Sequence, residues 1–413
     1  MRKSMAVAGT TLLLAACGGP LQQPGASLGD DAAPVKLGTY VHRMPKADAA
    51  TTTTPSSGTR LIYYGGKVLS NAKVYSVNWN GSVNPAITAK MAAFYAGVTN
   101  SAYFDWLSEY DTAGLAGLDG KPGSNQHIAR GSFGGTITLV PSTKGTTIDD
   151  TAIQTELSAQ IKAGKLPAPT NDSYYAINFP KGITITQGGS SSCQVFCAYH
   201  GTLQIGSQNV YYGVLPSLEP GTGCDQGCGG NADYLNNTTS VASHEMSETV
   251  TDGEVGLATV LSRPLAWYDS NNGEIGDICN AQQGTVTGGD GQPYTVQLEW
   301  SNKAAACIAT NGKTAPAQQV TFTVNQAETV WGQNVYVVGD AAALGAWDPT
   351  HAVKLSVSNY PTWSGSVGLT PGQSVQYKFV KIDGSGNVVW EGGSNRSLTV
   401  ATGAPAVLAT WQQ

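Results

Sequence analysis

Charge is scarce in this chain. Lys and Arg number 22 and Asp and Glu 28 of 413 residues, 12% together, for a net charge of −6. With no basic cluster to meet a phosphate backbone, nucleic acid is excluded as a partner. Long hydrophobic runs are lacking too. The apolar stretch Met5–Ala16 is too short to span a bilayer as a mature helix. Aromatics make up only 8%, whereas glycine reaches 51 residues, as in turn-rich exported β proteins. The length is enough for two or three domains.

Residues 1–17 read as a targeting segment. Arg2 and Lys3 give a positive start, and the apolar run ends in Leu14-Ala15-Ala16-Cys17. That ending resembles a bacterial lipobox. The resemblance implies cleavage before Cys17, lipidation of its thiol, and a membrane association made only through that anchor. Ordinary secretion with a leftover cysteine is the alternative. Residues 18–58 are rich in Pro, Ala, Thr and Gly without hydrophobic period, which reads as a flexible tether.

Residues 59–309 alternate strand-like and helix-like patterns. Lys73–Trp79 and Tyr174–Phe179 read as strands. Pro85–Val98 and Asp149–Ala163 read as helices, with Ile153, Leu157 and Ile161 at four-residue steps. The class is mixed α/β. Six cysteines fall here: Cys193, Cys197, Cys224, Cys228, Cys279 and Cys307. In an exported chain they read as three disulfides, with Cys279–Cys307 the natural third pair. Pairing among the first four stays open, and a zinc site on the two C-x3-C pairs is the other reading.

Chemistry is suggested by Ser243-His244-Glu245-Met246-Ser247-Glu248. On a helix, His244 and Glu248 share a face, as in H-E-x-x-H with Glu in place of the second His. Imidazole and carboxylate together hold a divalent ion, zinc first, and Glu245 would then serve as catalytic base. Asp277 is taken as third metal ligand. Asp252, Glu274 and His200 are further candidates. The plain alternative is a buried hydrogen-bonded cluster, or one face of an exposed helix, without metal. Tyr63-Tyr64-Gly65-Gly66, Val74–Trp79, Cys193-Gln194-Val195-Phe196-Cys197 with His200, Cys224-Asp225-Gln226-Gly227-Cys228 and the segments around His244 and Cys279 together resemble the exordium, or phosphate-induced, family. That resemblance implies a secreted domain linked to cell walls and growth responses, with no assigned activity.

A short linker, 310–316, precedes residues 317–413, where short strands are punctuated by turns. Val330-Trp331-Gly332, Leu344-Gly345-Ala346-Trp347, Tyr360-Pro361-Thr362-Trp363, Tyr377-Lys378-Phe379 and Val389-Trp390-Glu391 with Asn395 resemble the family 20 starch-binding module. The resemblance implies an immunoglobulin-like β-sandwich binding α-1,4-glucans. Trp347 and Trp390 would form one stacking platform with Lys378, Glu391 and Asn395 as polar partners. Trp331 and Tyr360 would form a second site, with Trp363 in the core. A flat indole suits the apolar face of a sugar ring. The expectation is thus an exported starch-binding multidomain protein. Its α/β part is either a metal-dependent hydrolase, peptidase-like by its His-Glu helix, or a non-catalytic part of a cell-surface glucan-binding or adhesion protein. No glycosidase carboxylate pair is recognisable there.

Overall fold

A computed structural model of the protein describes residues 43–47, 58–312, 318–370, 373–400 and 406–413. The leader with Cys17, and most of the tether, lie outside the described residues.

The N-terminal part is built on a six-stranded mixed sheet. Its order is Arg43–Pro45, Phe196–Ile205, Gln208–Leu215, Ser173–Asn178, Lys73–Asn78, Ser132–Thr138. The last four strands are mutually parallel, and the two pairings at the other edge are antiparallel. Both faces are covered, so the central strands are buried throughout. In Tyr174-Tyr175-Ala176-Ile177, side chains pass alternately into two cores. One core receives Ile87, Met91 and Phe94 of helix Pro85–Val98 together with Val241, Met246 and Val250 of helix Tyr234–Asp252. The other receives Ile153 and Leu157 of helix Asp150–Lys162.

One expectation fails inside the tether. Arg43–Pro45 is a strand at the sheet edge, and Met44 is 1% exposed. Composition pointed to a flexible chain. A single apolar residue entering a core, with backbone pairing to Phe196–Tyr199, holds the segment instead.

Three disulfides are formed: Cys193–Cys224, Cys197–Cys228 and Cys279–Cys307. The first two run side by side, joining Cys193 and Cys197, around the start of strand Phe196–Ile205, to the loop that holds Cys224 and Cys228. The C-x3-C zinc reading is thereby set aside.

Residues 318–413 form two facing sheets. Gln318–Asn325 lies between Thr362–Leu369 and Ala406–Thr410, with Ser356–Asn359 outermost. The second sheet centres on Asn334–Gly339 and Ser374–Ile382. Alternate residues Val320, Phe322 and Val324 face Val335, Val337 and Phe379 across the interior. Trp363 is core, its indole N–H donating to the Ala327 carbonyl at 3.0 Å.

Candidate functional site

The long helix Tyr234–Asp252 is buried along most of its length although few of its residues are apolar. It tolerates this because its hydroxyls bond back to its own carbonyls: Thr238 to Tyr234, Ser243 to Ser240, Thr249 to Glu245, and Thr251 to Ser247, all at 2.7–2.9 Å. Asp233 caps the N-terminus, accepting from the Leu235 N–H at 2.9 Å. His244, Glu245 and Glu248 are each 0% exposed.

Three other segments bring partners to them. Strand Phe196–Ile205 supplies His200. Its Nδ1 lies 3.2 Å from Glu245 Oε2 and 3.4 Å from Glu248 Oε2, and its Nε2 lies 3.5 Å from Glu274 Oε1. The loop Asp269–Cys279 supplies Glu274 and Asp277. Gly276 lets this loop lie flat on the helix, since a Cβ there would sit 2.6 Å from His244 Nδ1 and 2.9 Å from Glu248 Oε1. Asp277 donates its backbone N–H to Glu248 Oε1 at 3.1 Å, and its side chain, 14% exposed, is the rim of the cluster. Strand Pro293–Gln297 supplies Gln297, whose amide donates to His244 Nδ1 at 2.8 Å and to the Gly276 carbonyl at 2.9 Å.

Glu248 is the hub. Its Oε1 is 3.1 Å from His244 Nε2 while its Oε2 faces His200. Burial pulls its carboxyl up, but the two imidazoles outweigh this and hold it well below the usual range. Glu245 is pushed up to about 7 by burial, with His200 opposing. Asp252, Glu274 and Glu299 are all pushed up, foremost by burial. Burial alone would lower both histidines. The carboxylates reverse this, taking His200 to about 9 and His244 well above its ordinary value.

Two sets of donor atoms lie within 4.8 Å of one another: His200, Glu245 and Glu248, and His244, Glu248 and Asp277. The second is the trio expected from sequence. Asp252 stands apart, its Oδ1 accepting the Ala266 N–H at 2.7 Å. Among the described residues, Glu245 Oε1 and Asp252 Oδ2 are buried without a hydrogen-bond partner. Sequence reasoning missed Gln297 and Glu299. Both are 0% exposed, Gln297 at the end of strand Pro293–Gln297 and Glu299 at the start of strand Glu299–Ser301, and no local signal marks them.

In the sandwich, Trp347 and Trp390 come together with ring centroids 6.4 Å apart and planes at 39°. Gly345, Ala346 and Trp347 all have positive φ, +84°, +49° and +64°, a costly run for residues with a Cβ. The Trp347 indole is half-buried, and its backbone N–H donates to the Gly339 carbonyl at 2.7 Å. Asn395 is exposed and donates to Gln376 at 3.0 Å. Lys378 and Glu391 sit differently from simple sugar partners. Lys378 donates to the carbonyls of Glu391, Gly392 and Gly393, clamping that loop. Glu391, 2% exposed, points inward and takes a bidentate pair from Arg396, both bonds 2.9 Å. Trp331 is fully exposed. Tyr360, 54% exposed, holds the neighbouring Thr329 through its hydroxyl.

Residues 317–410 match the family described as the starch binding domain. A thermophilic beta-amylase of Thermoanaerobacterium thermosulfurigenes is 55% identical over 95 residues, 22% of this chain and 17% of that protein. An alpha-amylase of Streptomyces violaceus is 38% identical over 144 residues, 32% of this chain and 25% of the relative. Among solved structures, the family 20 carbohydrate-binding module of a maltotetraose-forming amylase from Pseudomonas saccharophila is 35% identical. It covers 22% of this chain and 99% of that one, with a TM-score of 0.21. The chain spans a quarter or less of the length of these two curated relatives. The family match begins at residue 317, beyond the His–Glu cluster. Residues 317–410 are a starch binding domain of family 20.

Proposed function

We propose that the protein is exported and held on α-glucan by its C-terminal domain, and that the α/β part is a metal-dependent hydrolase. The observation that carries the second half is the buried cluster itself. Four carboxyl groups that are 0% exposed, on Glu245, Glu248, Glu274 and Glu299, surround two imidazoles. Burial holds Glu274 and Glu299 towards their neutral forms, because an ionised carboxylate left uncompensated in an interior costs about several kcal/mol. A divalent cation on His244, Glu248 and Asp277 would let the neighbouring carboxyls ionise. Nitrogen with carboxylate oxygen suits zinc. When bound, such an ion supplies Lewis acidity. Glu245, next to His244 on the helix, would take a proton from the attacking water and return it to the leaving group. Two further features support export and kinship with the exordium family: the three disulfides, and the gathering of the motifs around His200, His244 and Cys279 into one place. In the sandwich, Trp347, Trp390 and Asn395 would meet one sugar site, with Lys378 and Glu391 shaping it from behind. Trp331 and Tyr360 would meet a second.

A second reading has its own observation. His200, Glu245 and Glu248 are wholly enclosed, so an ion there would brace the helix to the sheet without turnover. Elemental analysis of protein prepared without chelator tests both readings. About one equivalent of zinc is expected, lost in His244→Ala. In Glu245→Gln, retained zinc with lost hydrolysis marks Glu245 as base. Loss of zinc would mark it as a ligand and favour the brace. Less than about a tenth of an equivalent in the wild type would end both.

A further inference from the structure

The cluster is closed from solvent except at Asp277, and one short segment covers the edge of the strand that carries His200. Arg43–Pro45 runs antiparallel to strand Phe196–Ile205, pairing Arg43 with Tyr199, Met44 with Ala198 and Pro45 with Phe196. Without it that strand, which carries His200, would be the edge of the sheet. Met44 and Ala198 belong to the same core as helix Tyr234–Asp252, and Ala198 and His200 alternate onto that one face. Beyond Pro45 the segment is pinned by backbone bonds, Lys46 N–H to the Val195 carbonyl at 3.0 Å and Ala47 N–H to the Gly227 carbonyl at 2.9 Å. The Lys46 ammonium donates to the carbonyls of Cys193 at 3.1 Å and Gly223 at 2.8 Å. Asn280, three residues past Asp277, donates to the Pro45 carbonyl at 2.9 Å. The segment therefore touches the strand that carries His200 and the residue that follows the loop carrying Asp277.

We infer that residues 43–47 are an autoinhibitory strap occupying the binding edge for an extended polypeptide, the substrate class of the α/β site. This rests on the hydrolase reading above. A strand edge offers a row of N–H and C=O groups, which a peptide backbone matches and a glucan does not. The strap also states the preference. The position of Met44 takes an apolar side chain into a core pocket. Two residues on, the position of Lys46 takes a long cation between two carbonyls. Displacing the strap exposes the edge to a chain of that pattern.

The test uses the full chain carrying Met44→Asp, which places a charge in the core and unseats the strap, with Met44→Leu as control. The probe is a fluorescent peptide copying residues 41–48, followed by anisotropy with and without chelator. Met44→Asp should bind it at least tenfold tighter than wild type and Met44→Leu, and hydrogen exchange over residues 196–199 should quicken. A Met44→Asp protein that folds, keeps 196–199 protected and binds no peptide overturns the strap. Should that variant not fold, a site-specific protease sequence inserted after Thr54 releases the strap from wild-type protein, and the same binding must appear on cutting. Peptide binding requires no cation. Peptide binding by a protein that, prepared without chelator, holds less than about a tenth of an equivalent of zinc keeps the strap and ends the hydrolase, whereas zinc-dependent hydrolysis without peptide binding does the reverse.

Discussion

Glu248 faces both imidazoles and also accepts a backbone N–H, so a single carboxylate orders strand, helix and loop. His244 depends equally on Gln297. The Gln297 amide donates to both Nδ1 and the Gly276 carbonyl. In neutral His244 the proton then sits on Nε2, pointing at Glu248. For Nε2 to take a cation, that proton must move to Nδ1 and the Gln297 amide must turn to accept it. Gln297→Ala should therefore lower zinc affinity by about 10- to 100-fold while leaving the fold intact. Competition with a chromogenic chelator measures this, and unchanged affinity would remove Gln297 from the account. On the sandwich, Trp390→Ala in the full chain should lose about 1 kcal/mol or more of β-cyclodextrin binding at one class of site, with Trp331→Ala affecting the other. Isothermal titration resolves the two, and a loss identical in both variants would deny separate sites.

Helix Asp150–Lys162 is fixed to the sheet by its first residue. Asp150 Oδ1 accepts from the hydroxyls of Tyr199 and Tyr212, both at 2.8 Å, and Oδ2 from Gln154 at 2.7 Å. Burial raises its pKa against these hydrogen bonds. A raised carboxyl favours the folded state when protonated. Its contribution is full below the unfolded value of about 3.9 and is lost as pH climbs through the folded value. Asp150→Asn cannot titrate, so the stability of wild type relative to the variant should fall as pH rises from about 4 to 7. Urea denaturation across that range checks the sign; a constant difference would contradict it. The helix itself was legible, because Ile153, Leu157 and Ile161 repeat at its period and Asp149 caps it. The His244 helix was legible for its chemistry rather than its burial. Serine and threonine look solvent-facing in sequence, and only back-bonding to helix carbonyls lets them sit inside. The strap was illegible, since three residues of strand in a Pro- and Thr-rich tract carry no period. Its pairing partner lies some 150 residues away, as Met44 opposite Ala198 demonstrates.

At the scale of the molecule, two sets of exposed or buried groups answer to different solvents. The sandwich presents indoles to water, whereas the α/β part hides carboxylates from it. Binding to starch and cation content should thus vary independently. Trp347→Ala in the full chain should weaken retention in a starch gel yet keep its zinc, and His244→Ala should do the opposite. A variant that loses both would show the two parts to be coupled.

The side-by-side bonds Cys193–Cys224 and Cys197–Cys228 bear on timing. The carbonyls that grip Lys46 belong to Cys193 and Gly223, and the Ala47 anchor is Gly227, so the strap's berth is made of the loops those bonds knit together. A chain still carrying free thiols has no finished berth. Maturation would then have an order, oxidation before closure, with a brief uncovered interval for a newly made chain. Pulse-labelled hydrogen exchange during oxidative refolding should find residues 196–199 protected only after the second bond forms. Protection arriving first would reverse that order.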